Sequence, residues 1–199
     1  MLGLPQSTEV RRPLPKAGLY RQFNWKPSQR DGFDREVARL DFVNWIAPRT
    51  LSAMVEGTEV KEIYVVEVSL KRRDFDLKPI ALLGKSIPQR MVYALRYEDE
   101  IMLAVYHSKL FVLPWQASAS ATLPLKGLNL DAVWQNIVTA IGQFTVEQGC
   151  TLDEQIQVNE ERAKRERQIA ALEHQMNTTK QPHRKRELFV ELQTMKEVR

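Results

Sequence analysis

The segment EIYVVEVSLK, Glu62–Lys71, is the stretch on which the fold of this chain depends. Its β-branched and aromatic residues predict a β-strand with one continuous apolar face, because successive side chains of a strand alternate between its faces. That face carries Tyr64, Val66, Val68 and Leu70. The opposite face is half apolar and half polar, with Ile63, Val65, Glu67, Ser69 and Lys71. This pattern is typical of a strand that is covered on both faces near its start.

The next informative segment is LLGKSIPQRMVYAL, Leu82–Leu95, which leads from an apolar helix into an apolar strand. Pro88 disfavours the helical conformation for Ile87, so the helix is expected to end near Gly84 or Lys85. We expect Gly84 to act as the C-terminal cap and Lys85 to complement the negative end of the helix. A bound phosphate would prefer the N-terminal end of a helix. The segment therefore predicts a helix-to-strand turn, with Lys85 as a candidate contact to an anionic ligand.

The other periodic segments complete an α+β domain. MVYALRY (91–97) and IMLAVYHS (101–108) predict a β-hairpin, which KLFVLPW (109–115) extends by a further strand. Helices are predicted for FDLKPIALLGK (75–85) and NLDAVWQNIVTAIGQF (129–144). Apolar residues at helical spacing predict another helix in FDREVARLDFVNWIAP, which spans residues 33–48. The sequence thus predicts an α+β fold, with a small mixed sheet and packed helices.

The C-terminal segment, residues 149–199, differs in composition from the rest of the chain. A break around Pro182 divides it into two helical patterns. Their apolar positions are Ile169, Leu172 and Met176 before the break, and Leu188, Leu192 and Met195 after it. We expect two helices in an antiparallel, coiled-coil-like hairpin, whose apolar seam is a candidate surface for a protein partner.

Prolines and composition suggest how the chain is divided. Residues 1–30 contain Pro5, Pro13, Pro15 and Pro27, which break regular structure and predict an extended N-terminal arm. Residues 31–148 are expected to form the α+β core. Residues 149–199 are expected to form the helical hairpin.

Charge and cysteine content place the chain among ordinary globular proteins. Its 199 residues include 29 Lys and Arg against 25 Asp and Glu, a net charge of +4 that indicates an acidic partner only weakly. Cys150 is the single cysteine, so an internal disulfide is excluded and a reducing compartment is expected. The sequence shows no signal peptide and no run of roughly 18 apolar residues, so a cytoplasmic location without a membrane span is expected.

Few residues suggest catalysis or cofactor binding. His107, His174 and His183 are far apart and lack neighbours at metal-ligand spacing, so no metal site is expected. The sequence contains no nucleophile-elbow pattern, no Walker loop and no glycine-rich dinucleotide motif. No cofactor is therefore predicted.

One pattern is similar to that of metal-dependent nucleases of the restriction type, which place a carboxylate and a lysine close together on one strand. Glu67 lies in the predicted strand, and Lys71 follows on the same face. The departure is at Ser69, where those nucleases have the lysine. Glu56 or Glu59 would have to supply a second carboxylate.

Several basic residues are candidate contacts to nucleic acid, which requires positive charge gathered on one surface. They are Lys71, Arg72, Arg73, Lys85, Arg184 and Lys185. Asp74 and Asp76 dilute the first group, and Glu187 dilutes the last. A solvated charged surface is therefore the favoured interpretation of each group.

Three segments, taken in order, resemble a known family. They are GLPQSTEVRRPLPKAGLY (3–20), the region from VKEIYVVEVSLK to GKSIPQRMVYAL (60–95), and KQPHRKRELFVELQTMK (180–196). The chain resembles a family of uncharacterised bacterial proteins known as a domain of unknown function, number forty-three ninety-one. Its most specific pieces are Leu4-Pro5, Pro15-Lys16, Ile87-Pro88, Lys180-Gln181 and Arg184-Lys185, whereas Pro182-His183 departs from the family pattern.

The resemblance implies a role near DNA transactions, because members are often encoded beside helicases and DNA methyltransferases in restriction-like, phage-defence islands. It brings no catalytic residues. We therefore expect a non-enzymatic accessory protein that docks on a helicase, a DNA methyltransferase or DNA, with the hairpin as a second contact surface. One alternative is a metal-dependent nucleic-acid-processing enzyme centred on Glu67 and Lys71. Another is a self-assembling protein that forms homo-oligomers through the hairpin.

Overall fold

The computed structural model describes residues 2–179 and 181–197 of the chain. The chain divides into two units, residues 1–145 and residues 146–199. A mixed sheet with helices forms the first unit, and a pair of packed helices forms the second. The predicted α+β class with a C-terminal helical pair is confirmed. The finer limits at residues 30 and 148 stay predictions.

Within the described residues, six strands lie side by side in chain order in a single sheet. They are β1 Glu9–Pro13, β2 Val37–Ile46, β3 Ile63–Leu70, β4 Arg90–Tyr97, β5 Glu100–His107 and β6 Lys109–Ala117. Strands β3 and β4 are parallel because helix α3, Lys78–Ser86, crosses between them. The other neighbouring strands are antiparallel. The predicted strand at 62–71, the hairpin and the strand after it are confirmed.

Three helices cover the first face of the sheet: α1 Lys16–Gln22, α2 Pro27–Glu36 and α3. Val66 and Tyr93 contribute to this apolar core from the sheet. From the helices and their connections come Leu19, Trp25, Phe33, Ile80 and Leu83. The alternating apolar face of β3 therefore lies within this core.

The extended arm expected for residues 1–30 is corrected in its secondary structure. Residues 9–13 pair with β2 as the edge strand β1, and residues 16–22 form α1. The prolines are compatible with these elements. Pro13 lies on an edge strand, Pro15 precedes α1, and Pro27 is the first residue of α2, where no backbone N–H has to be donated.

The helix predicted across residues 33–48 is wrong over most of its length. Helix α2 ends at Glu36, and residues 37–46 form strand β2. The register of β2 against β3 shifts twice, between Val37 and Arg39 and between Phe42 and Asn44. Because each shift inserts an extra residue, the inward-facing positions lie three apart in places and imitate helical spacing.

Helix α4, Leu130–Gly142, contacts β5 and β6 on the second face of the sheet. Ile63 and Val65 on that face of β3 are fully buried, whereas Glu67 and Ser69 farther along remain half-buried. The expectation that β3 is covered on both faces near its start is confirmed. The polar half of the second face stays open to solvent.

The predicted turn between α3 and β4 is present, but Gly84 is not the C-terminal cap of the helix. Gly84 is a buried helical residue, and the helix continues to Ser86. A Cβ atom at position 84 would lie 2.4 Å from the Cβ of Tyr106 on β5. Glycine is therefore needed for the close approach of α3 to the sheet, and Ile87 in extended conformation ends the helix.

The second unit contains helices α5, Leu152–Thr178, and α6, Pro182–Glu197. Thr151 and Glu154 form a reciprocal capping box at the start of α5. The helices pack against each other, and an ion pair of 2.8 Å joins Lys196 to Glu173. Among the described residues, no helix has both the length and the apolar character needed to cross a membrane.

The close contact at Gly84 generates a stability prediction. Gly84→Ala is expected to lower the free energy of unfolding by about 1–3 kcal/mol, because the added methyl group overpacks the contact with Tyr106. Chemical denaturation measures the change. Gly32→Ala in α2 is the matched control: open space surrounds that position, so the same substitution is expected to raise stability by about 0.5–1 kcal/mol. Equal effects at both positions would contradict the proposed role of Gly84.

Candidate functional site

The basic residues at the end of β3 are held by contacts within the first unit. The Lys71 Nζ donates to the backbone carbonyl of Asp34 at 2.5 Å. Arg72 donates twice to Glu36, at 2.8 and 2.5 Å, and the Glu36 side chain is only 4% exposed. This ion pair joins the end of α2 to the end of β3. It gives Arg72 a structural partner and compensates the buried carboxylate.

Arg73 is also paired, but with a more exposed partner. Its guanidinium donates to Glu100 at 2.5 and 3.2 Å and lies over the Trp115 ring, 5.6 Å from the ring centre. The hydrogen bonds and charge of Arg73 lower the pKa of the Glu100 carboxyl. A phosphate would have to compete with these internal carboxylates for Arg72 and Arg73.

The remaining candidate nucleic-acid contacts lie apart from this cluster in sequence. Lys85 is exposed on the last turn of α3. Arg184 and Lys185 are exposed near the start of α6 in the second unit, where Arg184 forms an ion pair of 3.0 Å with Glu187. The assignment of these residues to nucleic-acid binding stays a prediction.

The predicted apolar seam lies in the second unit. Leu188 and Leu192 are 1% and 4% exposed. The other four seam residues are half-buried: Ile169, Leu172, Met176 and Met195. Helices α5 and α6 pack on each other. The assignment of the seam to a protein partner stays a prediction. Lys180, in the bend of the family pattern, lies outside the described residues.

A polar cleft of about 460 Å³ occupies the open half of the second sheet face. Its charged lining residues are Glu9, Arg11, Arg39, Asp41, Glu67 and Arg96. Asp41 of β2 lies directly opposite Glu67 of β3 in the strand register. Arg39 pairs with Asp41 at 2.6 Å, and Arg96 pairs with Glu67 at 3.4 Å. Each carboxylate of this cleft therefore has a basic neighbour.

The residues near Glu67 in the structure differ from those that the nuclease hypothesis requires. Lys71, Glu56 and Glu59 do not line the polar cleft that contains Glu67. The second carboxylate beside Glu67 is Asp41, which the sequence analysis missed because residues 37–46 were interpreted as a helix. Among the described residues, no group of three or more His, Cys, Asp or Glu side chains is placed to hold a metal ion.

An aromatic cleft of about 510 Å³ lies on the first face of the sheet. Four half-buried aromatic side chains line it: Phe23, Phe42, Trp45 and Tyr64. Its polar lining residues are Arg12, Gln22, Glu62 and Gln89. Gln89 and Ile87 belong to the turn between α3 and β4, so this turn forms part of the cleft wall.

Trp45 and Tyr64 are directly opposite each other on β2 and β3. Their rings are parallel within 4° with centres 6.3 Å apart, and Phe42 meets Tyr64 edge-on at 5.5 Å. The Trp45 indole N–H donates to Glu62 at 2.9 Å. Burial raises the pKa of Tyr64 to about 12, aided by the hydrogen bond to Glu62 and the charge of its carboxylate.

Sequence reasoning did not identify the aromatic cleft. Phe42, Trp45 and Tyr64 share one face only because the register shift between Phe42 and Asn44 changes which side chains of β2 point inward. The available signal was Trp45 itself, a large aromatic residue close to the end of a strand.

The chain was compared with protein families, curated proteins and solved structures. A family model described as Domain of unknown function (DUF4391) matches residues 2–198. No curated protein matches the chain, and no solved structure matches it. The family match agrees with the resemblance seen in the sequence.

The ion pairs of Arg72 and Arg73 generate a prediction. Arg72→Met is expected to lower the free energy of unfolding more than Arg73→Met, because only the first leaves a buried carboxylate without its partner. Chemical denaturation at neutral pH measures both. Adding Glu36→Gln to Arg72→Met is expected to recover part of the loss. If both single variants instead kept full stability and bound DNA less well, the cluster would be a nucleic-acid contact.

Proposed function

The chain belongs to the family Domain of unknown function (DUF4391), and we propose that it acts as a non-enzymatic accessory protein that binds a DNA-processing partner. The proposed partner is a helicase or a DNA methyltransferase of a bacterial, restriction-like defence system. The observation that carries the proposal is the exposure of two adjacent apolar side chains, Phe189 and Val190, on helix α6.

Phe189 and Val190 are 50% and 58% exposed. Leu188 and Leu192, which are buried, lie on one side of the same helix, and Phe189 lies at the edge of that side, three residues before Leu192. The internal contacts of the hairpin therefore leave Phe189 and Val190 exposed. An exposed aromatic side chain supports a protein contact, since aromatic anchors contribute strongly at interfaces.

Residues that carry or can carry charge lie around Val190. Val190 lines a shallow groove with His183, Arg186, Glu187 and Glu191. These positions recur every three or four residues, so they lie on one side of α6. An apolar centre with a rim of both charges is typical of a specific, non-obligate interface. We call Phe189, Val190 and this groove the α6 surface.

The choice of partner rests on the family resemblance. Affinity capture with a variant of the α6 surface tests it. The double variant Phe189→Glu/Val190→Glu places a charge at each exposed apolar position of the α6 surface. Affinity capture from the native host with mass spectrometry is expected to recover a helicase or DNA methyltransferase with the wild-type chain and to lose it with the variant. Val158→Glu, which changes a 40% exposed apolar residue of α5, is the matched control and is expected to retain the partner.

Three results decide against this proposal. The first is that no DNA-processing enzyme is captured, and the second is that the double variant still captures it. The third is a wild-type homodimer that the double variant converts into a monomer in sedimentation experiments, with no other partner bound. That third result would favour the self-assembling alternative. Circular dichroism establishes that each variant keeps the helical content of the wild type.

The metal-dependent nuclease is the second candidate function, and the pair of carboxylates Asp41 and Glu67 favours it. Asn44 also lines this cleft, and its Oδ1 is buried and lacks a hydrogen-bond partner in the described part of the chain. Against it, Arg39 and Arg96 already neutralise the two carboxylates. Lys71, the other residue of the hypothesis, donates to Asp34.

We expect the purified protein with magnesium or manganese to leave single- and double-stranded DNA uncleaved. Glu67→Gln is then expected to change thermal stability alone, because it removes the ion pair with Arg96. Gel electrophoresis of labelled DNA measures cleavage, and Glu59→Gln, outside the polar cleft, is the control. Cleavage by the wild type that Glu67→Gln abolishes while the fold is retained would replace the accessory-protein proposal with the nuclease.

A further inference from the structure

We propose that the aromatic cleft of the first unit binds a guanine base, carried by a nucleotide or by a single-stranded nucleic acid. The cleft has the size of a small-molecule site, about 510 Å³, and combines apolar walls with a few polar groups. The proposal concerns residues of the first unit. It does not rest on the α6 surface, so either proposal can fail without the other.

The aromatic walls of the cleft are suited to a flat ring. Phe42, Trp45 and Tyr64 form one connected cluster, with ring centres 5.5 and 6.3 Å apart. All three remain half-buried. Partly exposed aromatic rings inside a concave surface provide stacking area for nucleobases, whose π-faces bind such platforms.

Glu62 supplies the recognition group. Its carboxylate accepts a hydrogen bond from the indole N–H of Trp45 at 2.9 Å, which fixes its orientation. A carboxylate has about four lone-pair positions, so further donors can still bind to it. Guanine presents two adjacent donors, N1–H and the 2-amino group, on its Watson–Crick edge. The other bases place an acceptor atom in at least one of these positions.

The remaining polar residues of the cleft complete the match. Gln22 and Gln89 carry side-chain amides, which can donate to the carbonyl oxygen and ring nitrogens of guanine. Arg12, on the edge strand β1, provides an exposed guanidinium suited to a phosphate group. A cationic ligand is disfavoured, because Arg12 lines the same cleft and Arg49 already stacks over Trp45 at 5.5 Å.

The test is a titration of the full chain with GMP, AMP, CMP and UMP, followed by calorimetry and tryptophan fluorescence. GMP is expected to bind about tenfold or more tightly than the other three, the discrimination expected of a bidentate base contact. Glu62→Gln is expected to weaken GMP binding about tenfold and to remove the preference for guanine, because the amide offers one acceptor instead of two. Glu59→Gln, a carboxylate outside the cleft, is the matched control and is expected to bind GMP as the wild type does.

A second variant keeps the proposal testable if Glu62→Gln fails to fold. Arg12 is exposed on an edge strand, so Arg12→Gln is expected to leave the melting temperature unchanged. It is expected to weaken binding of GMP while leaving binding of guanosine unaltered. No binding of GMP at millimolar concentration, equal binding of all four nucleotides, or binding that neither variant changes would overturn the proposal.

Two further ligands distinguish the source of the base. A thymidine oligomer with one terminal guanine is compared with GMP and with the same oligomer lacking guanine. Tighter binding of the guanine-bearing oligomer than of GMP assigns the cleft to single-stranded nucleic acid. Binding of GMP that equals or exceeds that of the oligomer assigns it to a free nucleotide.

Discussion

The pairing of β2 with β3 is the contact on which both clefts depend. The register shift between Phe42 and Asn44 reverses which side chains of β2 face each side of the sheet. Before the shift, Asp41 lies opposite Glu67 on the polar face. After it, Trp45 lies opposite Tyr64 on the aromatic face. One inserted residue therefore supplies a carboxylate pair to one face and an aromatic pair to the other.

A buried carboxylate, that of Glu36, lies where β2 begins and β3 ends. Glu36, the last residue of α2, lies under the side chain of Arg72 just beyond β3, and the backbone N–H of Lys71 donates to the carbonyl of Glu36 at 2.8 Å. This arrangement fixes where helix α2 gives way to strand β2. The charges of Arg72 and Arg73 are paired with carboxylates of the same unit, so a nucleic acid would have to compete with these ion pairs.

The sequence was most informative where periodicity was regular. The alternation of β3, the hairpin of β4 and β5 and the helix α4 could be predicted, because packing on regular elements repeats every two or between three and four residues. Strand β2 could not be predicted, because its bulges give apolar spacings that also fit a helix. Both clefts draw residues from β2. The error in one strand therefore concealed the aromatic cleft and the true neighbour of Glu67.

The α6 surface and the aromatic cleft differ in the kind of partner that their chemistry favours. The α6 surface combines exposed apolar side chains with charged neighbours of both signs, which suits the broad surface of another protein. The aromatic cleft is concave and holds one fixed carboxylate among stacked rings, which suits a single flat group. The two lie in separate units of the chain. An accessory protein of this construction would recognise an enzyme with its helical unit and a base with its sheet unit.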